Sequence, residues 1–267
     1  MSAPTLDPVV QRSTWSGREL RGLVAAEARK TWSTSAWWAL LVPAALLSLA
    51  VTWIVARDGQ LAHAQAMALA SFAVTFTALF GAVSASAEYR HHTITTSYLG
   101  AADRPKLLVA KLIFAGMVGA GYAVVCAGFG IVGMLFGDTD PGRELSLVLQ
   151  VSAGAVPVLA LWAMLGVGLG TLLRNQVLAV LAVVFYLTFV EPIITVLAQL
   201  ADLQRFAVYL PAGSAVAAIE GLSGGQQFGG GFGVAAHPWW LMLLFFLGYT
   251  ALAGVAGAAA AQRRDIT

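Results

Sequence analysis

The sequence predicts an all-α membrane protein that crosses the bilayer six times. The chain has 267 residues, of which 59% are hydrophobic and 10% charged, and its mean hydropathy is +0.79. Soluble domains carry about 25% charged residues, so this chain has too little polar surface to cover a water-soluble globule. The long runs of Ala, Leu, Val and Gly do not alternate with polar residues, which argues against a transmembrane barrel.

Six apolar stretches are long enough to span the hydrocarbon core, which takes about 20 residues at a helical rise of about 1.5 Å per residue. They are predicted at Ala36–Ala56, Ala66–Ala87, Leu112–Phe136, Leu145–Leu173, Val177–Leu200 and Trp239–Ala261. Residues 1–35 then form an N-terminal segment, residues 36–261 the membrane domain and residues 262–267 a tail.

The distribution of basic residues predicts the orientation, because Lys and Arg are retained on the cytoplasmic side. Twelve of the 15 Lys and Arg residues lie on one predicted side, and the other three are Arg57, Arg143 and Arg205. We therefore expect both termini to be cytoplasmic, in a multi-pass protein of a bacterial plasma (inner) membrane.

The N-terminal segment is predicted to contain an amphipathic helix that lies on the membrane surface and leads into the first span. Ser16 and Glu19 have the spacing of a capping box, in which each side chain bonds a free backbone N–H at the start of a helix. Apolar residues then recur at steps of three and four, while basic residues such as Arg29 and Lys30 form another face. Two roles stay open for this helix: a surface anchor, or a connecting helix that transmits force from a cytoplasmic partner.

The connection between the second and third spans holds much of the charge of the membrane domain. It reads Glu88-Tyr89-Arg90-His91-His92-Thr93-Ile94-Thr95-Thr96, followed by Arg104-Pro105-Lys106 and by Lys111. The chain also carries Tyr209-Leu210-Pro211 between the last two spans and Arg263-Arg264-Asp265-Ile266 after the last span. In this order, and with the amphipathic N-terminal helix and six spans, these motifs resemble the permease subunits of type-2 ATP-binding-cassette (ABC) exporters over most of the chain.

The resemblance implies a coupling loop over residues 88–111, with a short helix that docks into a cleft of a separate ATPase subunit. It assigns ATPase coupling to Glu88, Tyr89, Arg90, Thr93, Ile94, Thr95 and Thr96, and the connecting helix to Ser16, Glu19, Arg29 and Lys30. Glu88 and Arg90 are expected to form charge-assisted hydrogen bonds across that interface. The alternative is a solvated loop that only obeys the positive-inside rule.

We expect no enzyme activity from this chain alone. It lacks the Gly-x-x-x-x-Gly-Lys-Ser/Thr loop that holds nucleotide phosphates, and it has neither a Gly-x-Ser-x-Gly nor a His-Glu-x-x-His motif. The Leu-Ser-Gly-Gly-Gln string at residues 222–226 resembles an ATPase signature, but it falls on the predicted external side and is interpreted as coincidence. We expect no metal and no cofactor on this chain, with ATP and Mg²⁺ on two partner ATPase subunits. The other expected partners are a second copy or a related permease and membrane lipids, but not nucleic acid.

Glu191 is the one acidic residue inside a predicted span. A carboxylate in hydrocarbon costs about 2.5–3.5 kcal/mol, so Glu191 must face protein or water. Pro192 follows it and lacks an N–H, so the fifth helix is predicted to kink or end there. Residues 192–238 are predicted to form an external lid in which Ile193–Leu200 and Phe206–Ile219 are short re-entrant or surface helices. Three roles stay open for Glu191: a gate or lid residue, a hydrogen-bonded carboxylate at a helix break, or a proton relay.

Two further assignments come from the resemblance. An external gate comprises Glu191, Pro192, Tyr209, Leu210 and Pro211, and the second and fifth spans of two permeases line an apolar substrate cavity. The cavity candidates are Phe72, Phe76, Phe80, Phe185, Tyr186 and Phe189, for which simple packing is the alternative. The function implied is ATP-driven export of an amphiphilic or lipid-like substrate. Its rivals are an ion-gradient-driven secondary transporter that uses Glu191 and, less favoured, a membrane-embedded enzyme or a scaffold.

Overall fold

The computed structural model describes residues 17–58, 61–90, 104–136, 144–222 and 238–263. Within these ranges all regular secondary structure is helical. The helices are α1 (Gly17–Trp32), α2 (Ala36–Val55), α3 (Leu61–Arg90), α4 (Arg104–Leu135), α5 (Leu145–Leu173), α6 (Gln176–Leu200), α7 (Gln204–Ala207), α8 (Pro211–Leu222) and α9 (Trp239–Arg263). Helices α2 to α6 and α9 are long and apolar enough to cross a membrane, which confirms the predicted class and number of spans.

Helix α5 is the centre of the bundle. It packs against α3, α4 and α9. Within the protein, 61% of its most apolar stretch is buried, compared with 17% of the corresponding stretch of α6. Close packing of α3 and α5 depends on glycine, since a Cβ at Gly81 would overlap the carbonyl oxygen of Ala163, and one at Gly166 would overlap that of Ala78. Small residues permit this backbone approach between membrane helices, where lipid gives no hydrophobic driving force for association.

The second and third spans are longer than predicted at the ends that face their connection. The second span runs to Arg90, and the third helix begins at Arg104, eight residues before the predicted Leu112. Pro105 suits a first helical turn, where a missing N–H has no consequence. The predicted loop over residues 88–111 is therefore wrong at both ends, which are helical. Thr93, Ile94, Thr95 and Thr96 lie outside the described residues.

Of the two outcomes predicted at Pro192, a kink or an end of the helix, the structure excludes the end, because α6 continues past this residue. Residues Tyr186–Val190 form a π-helical segment, and the chain continues as α-helix over Glu191–Leu200. The N–H of Glu191 bonds the carbonyl of Tyr186 five residues back, so the bonding pattern has already changed one residue before the proline that lacks a donor. Such local adjustments are how membrane helices tolerate proline. Of the two short helices predicted between the last two spans, Ile193–Leu200 is part of α6, and the region of Phe206–Ile219 is helical but divided between α7 and α8.

Candidate functional site

Helix α1 packs on the first half of α4 with a face that is not wholly apolar. Leu20, Leu23 and Val24 are half-buried on this face, and it continues to Glu27 and Thr31, which are buried. The predicted helix is therefore present, but a carboxylate lies in its apolar stripe. Ser16 lies outside the described residues, so the capping box is not tested.

Glu27 belongs to a group of four charged residues, which we call the charge cluster: Glu27, Lys30, Glu88 and Lys111. The Nζ of Lys111 lies 2.6 Å from Oε2 of Glu27 and 2.6 Å from Oε1 of Glu88, to both of which it donates hydrogen bonds. Lys30 donates to the same Oε1 of Glu88. The cluster thus connects α1 to the last turn of α3 and to the first half of α4.

The charge cluster is electrically balanced and largely dry. It contains two carboxylates and two ammonium groups, and the side chains of Glu88, Lys111 and Glu27 are 2%, 5% and 9% exposed. Lys30 lies at the edge, with 38% of its side chain exposed. Removing one partner from such a buried group costs about 3–5 kcal/mol, because it leaves an uncompensated charge. The cluster therefore holds three helices in a defined arrangement.

A second ion pair supports the same contact between α1 and α4. Lys106 Nζ lies 3.1 Å from Oε2 of Glu19 near the start of both helices. The side chain of Glu19 is 40% exposed, so solvent weakens this attraction relative to that in the charge cluster. Arg29 is exposed and, among the residues that the structure describes, donates a hydrogen bond to the carbonyl of Ala25 in its own helix, at 3.4 Å.

The structure corrects the prediction that Glu88 bonds a partner across an interface, because its carboxylate faces inward and is held by two lysines. The adjacent residues also make internal contacts. The guanidinium of Arg174 lies 5.5 Å from the centre of the Tyr89 ring, and Arg90 donates a 3.1 Å hydrogen bond to Oε1 of Gln176. The end of α3 is thereby tied to the turn between α5 and α6.

Glu191 lies at the opposite end of the bundle, where it caps α8. Its Oε2 accepts a hydrogen bond from the N–H of Ala212 at 3.0 Å, and its Oε1 accepts one from Gly213 at 2.7 Å. The first N–H groups of a helix have no partner inside it, and a carboxylate there is stabilised by the helix dipole. Of the three roles left open, this geometry matches a hydrogen-bonded carboxylate, although α6 is not broken there.

The Tyr209-Leu210-Pro211 element is fixed against α9 close to this cap. Tyr249 donates a 2.9 Å hydrogen bond from its hydroxyl to the carbonyl of Tyr209, whose ring packs 5.0 Å from that of Phe245. Pro211 begins α8, while Pro192 follows the capping carboxylate on α6. The predicted gate residues thus come together in space, and a gating role stays a prediction.

The six predicted cavity residues do not converge on one site within the chain. Phe80 is buried and packs 5.8 Å from Tyr122, so its assignment to a substrate cavity is wrong. Phe185 and Phe189 lie on an exposed face of α6 with their tilted rings 5.4 Å apart, and Phe72 and Phe76 are half-buried on α3. Of the six, Tyr186 lines an apolar cavity of about 460 Å³ that lies between α5, α6 and α9.

Sequence reasoning missed Glu27 and noted Lys111 only as a basic residue that opens a span. The signal for Glu27 was its position on the apolar stripe of α1, where a carboxylate needs a partner. The pairing itself joins residues 84 positions apart, so it becomes evident only when the helices are packed.

Comparison with known proteins adds no family assignment. No protein-family model matches the sequence, and no curated protein matches it either.

Proposed function

We propose that this chain is the membrane-spanning permease subunit of an ATP-driven ABC exporter for an amphiphilic or lipid-like substrate. Two such chains, or this chain with a related permease, form the translocation path, while two separate ATPase subunits bind ATP and Mg²⁺. The location proposed is a bacterial plasma membrane with both termini in the cytoplasm, in line with the distribution of Lys and Arg.

The charge cluster is the observation that carries this proposal. A movement generated outside the membrane reaches a transport path only through a rigid connection to the spans. Lys30 lies at the edge of the cluster on α1, while Glu88 and Lys111 lie on two spanning helices. The coupling helix is predicted within residues 88–96, and residues 91–103 join those same two helices along the chain. Both ends of that segment are therefore fixed to helices that contribute to the cluster.

The geometry at Glu191 gives less support to the rival, a gradient-driven transporter. Both of its oxygens already accept backbone hydrogen bonds at the start of α8. A carboxylate that carries protons through a transport cycle must exchange such partners repeatedly, whereas a helix cap keeps them. We therefore assign Glu191 to the positioning of α8 within the proposed external gate.

The test compares two neighbouring residues of α1 in the full complex. The tagged chain is purified from its host together with any ATPase subunits that associate with it. The complex is reconstituted in lipid nanodiscs and assayed for ATP hydrolysis in wild type, Lys30→Ala and Arg29→Ala. Lys30→Ala removes the contact of α1 with Glu88 but leaves Glu88 paired with Lys111. Because Lys30 is 38% exposed and its attraction is screened by solvent, its loss should cost less than that of a buried partner, and folding should be retained. Arg29→Ala removes an exposed charge whose hydrogen bond within the described part of the chain is to Ala25 of the same helix, and it is the matched control.

We expect an ATPase to co-purify with all three proteins, and the permease-dependent part of its activity to fall severalfold in Lys30→Ala alone. Equal activities in the two variants would show that this contact does not transmit force. If no ATPase associates, and the chain alone moves solute in response to a pH step across a vesicle membrane, the ABC proposal fails and the secondary transporter replaces it.

A further inference from the structure

The cavity between α5, α6 and α9, which we call the inner cavity, has aromatic side chains on each of its three helical walls. These are Trp162 on α5, Tyr186 on α6 and Tyr249 on α9, and the remaining lining is aliphatic side chains and a proline. The volume of about 460 Å³ falls in the range of about 300–1,000 Å³ that is typical of small-molecule sites. The lining residues Val183 and Ile194 are three turns apart on α6, about 16 Å along the axis, so the cavity is elongated.

The buried carboxylate of Glu191 lies next to this cavity. Tyr186 donates a hydrogen bond from its hydroxyl to Glu191, whose exposed fraction is 3%. Leu187 and Ile194 of the lining lie about one helical turn from Glu191 on either side. Pro211 also lines the cavity, and the residue after it on α8 donates its N–H to the carboxylate. A charge inside the cavity would therefore be one side chain away from that of Glu191.

The negative charge of Glu191 has no full counter-charge within the described part of the chain. Its two oxygens accept hydrogen bonds from the N–H groups of Ala212 and Gly213, which can only donate and so match an ionised carboxylate. The start of a helix carries about half of an elementary positive charge, which offsets only part of a carboxylate. Among the described residues no Lys, Arg or His pairs with Glu191, whereas Glu27 and Glu88 are each paired with lysine. A cation in the inner cavity would supply the missing charge.

The lining favours an organic cation over a metal ion. Aromatic rings attract cations through the negative charge of their faces, and the attraction is stronger in a dry site than in water. No charged side chain is among the described residues that line the cavity, so none of them repels a cation. A metal ion needs several oxygen ligands, but the hydroxyls of Tyr186 and Tyr249 are already engaged with Glu191 and with the carbonyl of Tyr209.

We propose that the inner cavity binds an elongated organic cation, such as a quaternary ammonium or N-alkylpyridinium compound, beside the aromatic rings of its three walls and the neighbouring carboxylate of Glu191. Ile194 lines the cavity and is 41% exposed on a face of α6 with other exposed apolar side chains. An amphiphilic cation can therefore enter from the side of the bundle that faces hydrocarbon. The site lies within a single chain, so its occupation does not rest on the proposed export function.

The experiment compares two ligands of nearly the same shape that differ in charge. The cation is the dye dimethylaminostyryl-N-methylpyridinium, and the neutral compound is its parent dimethylaminostyrylpyridine, which lacks the N-methyl group and is uncharged at mildly alkaline pH. Each is dialysed to equilibrium between the purified full-length chain in a non-ionic detergent and matched empty micelles. Glu191→Gln removes the charge beside the cavity. Glu144→Gln is the matched control, because Glu144 also accepts an N–H bond at the start of a helix but does not line the cavity.

We expect wild type and Glu144→Gln to bind the cation at least about tenfold more tightly than the neutral compound. In Glu191→Gln this preference should fall below about threefold, while the neutral compound binds as in wild type. Leu187→Trp, which fills the cavity, should weaken the binding of both ligands. The proposal is overturned by a wild type without preference, by a preference kept in Glu191→Gln or lost equally in Glu144→Gln, or by unchanged binding of the cation in Leu187→Trp.

A second pair of variants decides the outcome if Glu191→Gln disturbs the packing and weakens both ligands. Tyr186→Phe and Tyr186→Leu both lack the hydroxyl that bonds Glu191, so the aromatic ring is the difference between them. We expect the preference for the cation to be at least about threefold smaller in Tyr186→Leu than in Tyr186→Phe. Equal preferences in these two variants would show that the ring does not hold a cation, and the proposal would fail.

Discussion

Replacing Lys111 by methionine is expected to destabilise the protein by about 3–5 kcal/mol. The Nζ of Lys111 is 2.6 Å from a carboxylate oxygen on each side, and its side chain is 5% exposed. Methionine has a similar length, so the substitution removes charge with little change in volume. Glu88 keeps its contact with Lys30, whereas the carboxylate of Glu27 stays buried and loses the cation that faces it. The expected loss of stability is therefore that of removing one partner of a buried ion pair and leaving the other partner charged.

The assay is reversible unfolding of the purified protein in mixed micelles with increasing sodium dodecyl sulfate, followed by circular dichroism. Arg90→Met is the control, because Arg90 is exposed and bonds a neutral amide, so its removal should cost less than about 1.5 kcal/mol. The triple variant Glu27→Gln, Glu88→Gln, Lys111→Met leaves no unpaired buried charge, since Lys30 is partly hydrated at the edge. It should therefore be more stable than Lys111→Met alone. A single variant as stable as the control, or a triple variant less stable than the single one, would refute the argument.

Three further outcomes are expected in the same unfolding assay. Gly81→Ala should destabilise the protein by about 1–3 kcal/mol or more, because the added methyl group overlaps the backbone of α5. Gly121→Ala is the control: its methyl group meets no neighbour, so stability should change by less than about 1 kcal/mol. Glu191→Gln should lower the free energy of unfolding by about 1–3 kcal/mol, because the amide nitrogen cannot accept the second of the two N–H bonds from α8. Glu144→Gln is the control: it keeps an oxygen that accepts the hydrogen bond from the N–H of Ala62, so stability should hardly change. Asp202→Gly should stabilise the protein by up to about 1 kcal/mol, because Asp202 has φ of 54°, where glycine carries no steric penalty.

The six spans were predictable because the length of an apolar helix is set by the bilayer and not by its neighbours. The helix ends on either side of the loop between the second and third spans were not predictable in this way. The prediction placed Glu88 and Lys111 outside the hydrophobic segments because both residues are charged. In the structure these two charges neutralise each other and lie inside helices. A charge therefore marks the end of a span only when it has no partner, and the partner lies on another helix.

Pro192 shows that the effect of a residue on the backbone also depends on structure that the sequence alone does not reveal. The missing N–H is certain from the sequence, and a break in the helix is its simplest consequence. The π-helical segment at Tyr186–Val190 provides another outcome, because it shifts the bonding pattern just before the proline. The buried position of Glu191 was predictable from its cost in hydrocarbon, but its partners on α8 were not, since they are backbone groups 21 and 22 residues away.

The packing of the bundle indicates which parts can move together. The charge cluster attaches α1 to α3 and α4, and the contacts at Gly81 and Gly166 bring α3 into backbone contact with α5. Packed interiors of this kind do not deform continuously, so a displacement of α1 is transferred to α3, α4 and α5 as one body. Helix α6 is the least buried span, and an apolar cavity of about 460 Å³ separates part of it from α5 and α9, so relative motion is least hindered there.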